Sequence, residues 1–285
     1  MKIKHYHITI LLALFIAACT EDVNLPFDST YTRLCVEGSI TTDTIAHKVI
    51  LSRSGDALGK DQIVYISNAK VSITDGTDTF KLTENSYKKG VYETQPNIYG
   101  VAGKTYTLNI SNIDINGDDV LENYSAKSQL LFENPIDSIK TISQIYSERE
   151  NGWLVKLYAL DPGGRNYYIV KASKNGNLIT DSISEYGITN NAGFEGKYYP
   201  GIGVYYFSNN KIDERILVGD TITLELDGIT QDYFDFINGY KQEIGFKTPI
   251  FSGPSANVST NIEPKNKAVG FFAAYSIQRK NCIFK

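Results

Sequence analysis

Ala69-Lys70-Val71-Ser72-Ile73-Thr74-Asp75-Gly76-Thr77-Asp78-Thr79-Phe80-Lys81-Leu82-Thr83 decides the fold class of this chain. Apolar residues occupy every second position of Ala69–Thr74 and return at Phe80 and Leu82, the period of a half-buried strand. Between the two runs Asp75-Gly76 supplies the residue types that accept the positive φ angles of a tight hairpin turn. The same grammar runs outward in both directions. Leu34–Ile40 and Lys48–Ser52 lie upstream, and Val91–Thr94 and Lys104–Ile110 downstream. Lys89-Gly90, Ala102-Gly103 and Asn116-Gly117 mark turns at the spacing of an antiparallel sandwich. Residues 31–131 are expected to form an N-terminal antiparallel β-sandwich of immunoglobulin-like or transthyretin-like type.

Asn134-Pro135 marks a boundary, because proline cannot sit inside a central strand. Beyond it, residues 132–285 read as a second β-rich domain. Its strands are Ile136–Tyr146, Trp153–Leu160, Asn166–Ser173, Leu178–Ser184 (paired about Asn175-Gly176), Arg215–Val218, Thr221–Leu226 and Ala268–Ile277. One helix near 230–244 interrupts them: Tyr233, Phe236, Ile237, Tyr240 and Ile244 recur at helical spacing, with Thr230 as N-cap and Asp232 in the first turn. The fold class is therefore mainly all-β with one α-helix. Tyr 20 and Phe 13 against Met 1 is the aromatic balance of pleated, half-buried surfaces.

The N-terminus locates the protein. Lys2 and Lys4 precede the apolar run Ile8–Ile16, which is too short to span a bilayer, and Ile16-Ala17-Ala18 leads directly to Cys19. This is the pattern of a lipoprotein signal over residues 1–18, cut before Cys19 and acylated on it, with residues 19–30 as a tether. Glu21-Asp22 resembles the acidic export signal of surface lipoproteins of Bacteroidota, which implies an outer-membrane protein facing the cell exterior. The formal charge of −4 becomes more negative once Lys2 and Lys4 are removed, so the general field offers nothing to nucleic acid.

Catalytic chemistry finds little footing. Of three histidines, His5 and His7 leave with the signal, and His47 reads as a solvent-facing strand residue. A histidine-rich zinc site cannot be assembled, and no phosphate-binding loop, nucleophile elbow or paired-cysteine motif is present. No cofactor, metal ligand or catalytic residue is expected. Cys35 and Cys282 sit in apolar strand contexts, either as buried free thiols or as a disulfide joining first strand to last. Asp114-Ile115-Asn116-Gly117-Asp118-Asp119 reads as a hairpin tip rather than a calcium loop, since an EF-hand wants Gly where Asp119 stands and Glu where Ser125 stands.

The most unusual composition is Tyr198-Tyr199-Pro200-Gly201-Ile202-Gly203-Val204-Tyr205-Tyr206-Phe207. Exposed tyrosines stack on sugars or grip peptides with little entropy lost, so Tyr198, Tyr199, Tyr205 and Tyr206 form the candidate binding surface. An aromatic hairpin packed on its own sheet explains the same residues. Five Asp-(Ser/Thr) sites, at Ser29, Thr44, Ser138, Ser182 and Thr221, resemble acceptors of protein O-glycosylation. They also fit a turn-ending Asp followed by a strand start.

Several segments recur together in a known order: Val36-Glu37-Gly38-Ser39-Ile40-Thr41, Ala69–Ile73 with Asp75-Gly76, Gly90-Val91-Tyr92, Gly103–Leu108, Asn166-Tyr167-Tyr168, Gly219-Asp220-Thr221-Ile222, and the closing Pro254–Asn261 and Ala268–Ser276. Together they resemble the lipoprotein family catalogued as domain of unknown function 4249, over nearly the whole mature chain. Ser39 and Cys35 depart from the pattern, which expects larger or purely aliphatic residues there. The resemblance implies a non-enzymatic accessory binding subunit of a TonB-dependent importer of the SusC/SusD kind, taking up peptides or glycans. It carries no catalytic residues over. The alternative is a surface hydrolase acting through a carboxylate pair.

Overall fold

Alternation is realised strand by strand. The computed structural model describes residues 32–54, 63–132, 135–147, 150–245 and 258–285; the expected signal, Cys19, the tether and Ser29 lie outside the described residues. The strands are β1 (Leu34–Thr41), β2 (Lys48–Arg53), β3 (Lys70–Thr74), β4 (Thr79–Glu84), β5 (Val91–Glu93), β6 (Thr105–Ile113), β7 (Glu122–Gln129), β8 (Ser138–Ser147), β9 (Glu150–Leu160), β10 (Tyr167–Lys174), β11 (Asn177–Leu178), β12 (Gly187–Asn190), β13 (Tyr198–Ser208), β14 (Thr221–Ile229), β15 (Ile262–Glu263) and β16 (Ala268–Ile283), with the helix α1 (Gln231–Ile244) between β14 and β15. The fold is all-β with one α-helix.

Thirteen strands belong to one sheet in the order β11-β10-β14-β16-β1-β2-β5-β4-β3-β6-β7-β15, with β12 also pairing β10; β13-β9-β8 form a second sheet of three strands. The large sheet curls on itself, so that β16 returns against β7: the Ala274 amide donates to Ser128 Oγ at 2.9 Å, and Asn261 Nδ2 donates to the carbonyls of Phe272 and Lys127. Inside the curl lie Leu34, Val36, Ile40, Leu51, Ile73, Leu108, Ile110 and Phe272, all buried. At the other end the three-stranded sheet covers β10 and β14, burying Val155, Leu157 and Phe207 against Val170, Leu224 and Leu226.

Of the two interiors, the second draws only on residues beyond the expected division at 131/132, whereas the curled core takes Ile262, Ala268, Phe272 and Ala274 from beyond that point as well. Residues 31–285 cluster as one unit, because β16 is long enough to serve both ends. It pairs β14 antiparallel and β1 parallel, Leu34 opposite Ala268 and Thr41 opposite Tyr275. That parallel pair makes the sheet mixed where a purely antiparallel one was expected.

Other local expectations change as well. His47 is buried, not solvent-facing: it precedes β2, its Nε2 lies 3.2 Å from the Ile98 carbonyl oxygen, and its amide donates to Thr94 Oγ1 at 2.9 Å. Of Leu178–Ser184 only Leu178 is in a strand, the second residue of β11, and Arg215–Val218 is an irregular connection rather than a strand. Cys35 and Cys282 are free thiols; Cys35 stands opposite Val269, at the far end of the strand that carries Cys282. Asp114 opens the β6–β7 hairpin tip and spends its carboxylate on the amides of Gly117, Asp118 and Asp119.

Candidate functional site

Period-2 alternation gives every strand of the large sheet a second face. On β1, Val36 and Ile40 enter the curled core while Cys35, Glu37 and Ser39 point the other way; on β16, Phe272 and Ala274 go in and Phe271 and Tyr275 go out. On β10 and β14 the rule continues, with Lys171, Glu225 and Asp227 opposite the face that packs on the small sheet. The helix α1 lies over this outer face. Thr230 Oγ1 accepts the Tyr233 amide at 3.4 Å, and Ile237 is the anchor, packed on Ile169 and Ile229.

The helix does not seal the face. Between it and β1, β2 and β16 runs a cavity of about 860 Å³. Its aromatic wall is Tyr186, Tyr233, Phe236, Tyr240, Phe271 and Tyr275, and its floor includes Cys35, Glu37 and Ser39. Thus the two positions where this chain carries smaller or more polar residues than expected, Cys35 and Ser39, open toward the hollow. Gly270 is required in the same wall: its φ is +94°, and a Cβ there would stand 2.0 Å from the Val36 carbonyl oxygen.

Behind two of these rings runs a chain of charges. Arg279 grips Asp43 with both Nη atoms at 2.9 and 2.7 Å and donates from Nε to Glu225 at 2.6 Å. Lys171 then donates to Glu225 at 3.0 Å and to Asp227 Oδ2 at 2.6 Å. Its ammonium lies 5.0 Å from the Tyr186 ring centroid and 5.5 Å from that of Tyr275. Cation–π attraction to a desolvated ammonium thus fixes both cavity rings from the rear.

Asp227 is wholly buried and its Oδ1 has no hydrogen-bond partner among the described residues. Burial, only partly offset by Lys171, pushes its carboxyl up to about 7. Burial acts the same way on Glu225, but Lys171 and Arg279 together hold that carboxyl below its ordinary range. Each carboxyl in this chain of charges thus has a cation beside it, Lys171 at Asp227 and Glu225 and Arg279 at Glu225 and Asp43, the pairing that buried charges require.

The expected tyrosine surface divides. Bulges at Pro200/Ile202 and Gly203/Tyr205 in β13 cancel each other, so Tyr199, Ile202, Tyr205 and Phe207 all face the interior. Tyr199 is buried and its hydroxyl donates to Asp161 at 2.7 Å, while Tyr205 meets Phe207 edge-on at 4.8 Å. Tyr198 is exposed, and Tyr206 sits on the outer face edge-on to Tyr146 at 4.8 Å. No one pocket gathers the four. Of the Asp-(Ser/Thr) positions, Ser138 and Thr221 are the first residues of β8 and β14, whereas Thr44 and Ser182 are exposed in loops, Ser182 at the cavity.

Sequence reading missed the cavity because β1, β2, the 181–186 loop, α1 and β16 meet only in the folded chain. The charge chain had a local signal. Thr223-Leu224-Glu225-Leu226-Asp227 alternates strictly, and Lys171 interrupts the run Tyr167–Ala172, where a lone cation must find a partner.

Among the described residues no helix is long and apolar enough to cross a membrane, and no cluster of three or more potential metal ligands occurs. Residues 20–281 match the family described as "Domain of unknown function (DUF4249)". No curated protein matches the chain.

Proposed function

The chain belongs to the DUF4249 family, and from that premise we propose that it is a lipid-anchored binding subunit of the outer membrane. It faces the cell exterior and serves a SusC/SusD-like TonB-dependent importer of peptides or glycans. Acylated Cys19 is the anchor to the membrane, residues 19–30 are the tether, and the cavity beneath α1 captures the ligand. The observation that supports this most is the wall of aromatic rings, five half-buried and Phe271 buried, around an open volume of about 860 Å³. A sheet face covered by a helix would ordinarily be filled; here six rings line space instead, which is the usual make-up of a ligand site.

Gentle solubilisation of the outer membrane followed by affinity recovery of the tagged full-length protein tests the reading. Recovery with a SusC/SusD-like transporter pair supports it. A protein recovered alone, under conditions that keep that pair intact, overturns the accessory role. Release of hydrolysis products from a captured ligand would overturn the non-enzymatic one.

A further inference from the structure

The rings of the cavity are ordered as well as numerous. Tyr275, Tyr233, Phe236 and Tyr240 follow one another with planes inclined by 20°, 15° and 24° and centroids 6.2, 6.1 and 6.5 Å apart. The last three come from one helix face, at the i, i+3 and i+7 positions that place side chains in a line. Rings so spaced and so nearly parallel are offset from one another; Phe271 packs on Tyr233 and Phe236 at 5.1 Å, and all five rings line the cavity. The helix thus presents a stepped row of flat, apolar surfaces.

Two further properties restrict what can lie along that row. The floor belongs to strands already paired on both sides: β1 lies between β16 and β2, and β2 between β1 and β5. No free ladder of backbone amides and carbonyls is available there, so an extended peptide cannot add itself as a strand, its commonest mode of capture by a sheet. The polar groups of the lining are mainly acceptors and hydroxyls: Glu37, Asp181, Ser39, Ser52 and Ser182. Lys48 is the lining cation, and it already stands 3.5 Å from Glu93. An anionic ligand would meet two carboxylates with little compensation.

We propose that the cavity binds a neutral oligosaccharide, its successive rings stacked along Tyr275, Tyr233, Phe236 and Tyr240. A pyranose offers a flat face of C–H groups and a rim of hydroxyl donors. The first matches the ring row, and the second matches the carboxylates of Glu37 and Asp181. This rests on the binding role proposed above and names the ligand class within it.

The test is calorimetric titration of the folded protein, with Cys19 replaced to remove the lipid anchor. Three probes are used: neutral linear oligosaccharides (cello-, malto-, xylo- and manno- series), acidic oligogalacturonate, and a mixed tryptic peptide pool. Tyr240→Ala and Glu37→Gln are titrated beside the parent, with unfolding curves to confirm that each is folded. Binding of a neutral series, weakened about tenfold or more by Tyr240→Ala and measurably by Glu37→Gln, is the expected result. Binding of peptides or oligogalacturonate alone, sensitive to Tyr240→Ala, would overturn the saccharide assignment while leaving the cavity as the ligand site. Absence of any binding sensitive to Tyr240→Ala would overturn both.

Discussion

The curled core around Phe272 and the layer under α1 around Lys171 occupy opposite faces of one sheet, and their chemistry is opposite too. In the curl the buried side chains are mainly aliphatic, and the three phenols among them, Tyr92, Tyr106 and Tyr124, all have hydrogen-bond partners, Tyr124 donating to Glu122. The Tyr92 hydroxyl donates to the Ile66 carbonyl and accepts the Ala69 amide, both at 2.9 Å, and Tyr106 accepts the Val101 amide at 2.7 Å. Under the helix the layer is hollow, aromatic and crossed by charges, with a carboxylate oxygen that has no partner among the described residues. One face is closed by its own side chains; the other, under the binding role proposed above, gives up stability to leave room for a ligand.

That contrast can be broken most sharply by deleting from the stable face. Phe272→Ala should cost about 3–5 kcal/mol in urea unfolding, the range for a large side chain lost from a closed core. Variants that remain folded should bind ligand as the parent does. A cost under about 1 kcal/mol would show that the curl tolerates voids and is not the stable face.

Under the helix, Lys171→Met should cost roughly 3 kcal/mol, because it leaves two carboxylates buried without their shared cation. Replacing Lys171, Glu225 and Asp227 together by apolar residues should recover most of that loss. The same triple variant should weaken ligand binding, since Tyr186 and Tyr275 lose the ammonium that holds them. If the triple variant binds as well as the parent, the charge chain has no part in shaping the cavity.

Asp227 gives a smaller effect with a definite sign. Its carboxyl is raised on folding, so its contribution to stability is complete below the unfolded value of about 3.8 and is lost as pH rises through about 7. Other carboxylates act in the opposite sense, as Asp75 does, held down at about 2 chiefly by its hydrogen bond from Lys104. The informative quantity is therefore the difference from Asp227→Asn. Between about pH 5 and pH 7 the parent should lose roughly 1–2 kcal/mol relative to that variant. Parallel pH profiles would place the proton elsewhere.

These contrasts also mark how far the sequence could be read. Hairpins at Asp75-Gly76 and Asn175-Gly176, the alternating strands and the Thr230-capped helix depend on neighbours within a few residues, and they are where local chemistry puts them. The pairing of Leu34 with Ala268 depends on two segments at opposite ends of the chain, and no local period encodes it. Neither does the burial of His47, which follows from the loop around Ile98 folding back upon it. For Tyr198–Phe207 the sequence left a binding surface and an aromatic hairpin packed on its own sheet both open, because two bulges break the simple alternation that would say which rings face inward. The cavity is the extreme case. Its chemistry was present in Glu37, Tyr186, Tyr240 and Tyr275, but its existence depends on which strands β16 joins.

The most direct measurement sets the two aromatic surfaces against each other. Tyr240→Ala removes a ring from the cavity row, and Tyr198→Ala removes an exposed ring from the outer face of the small sheet; neither is fully buried, so both should change unfolding by less than about 1 kcal/mol. Titrated with the same bound oligosaccharide or peptide, Tyr240→Ala should weaken affinity about tenfold while Tyr198→Ala leaves it unchanged. Loss of affinity in Tyr198→Ala with full affinity in Tyr240→Ala would place the binding site on the small sheet and contradict the account.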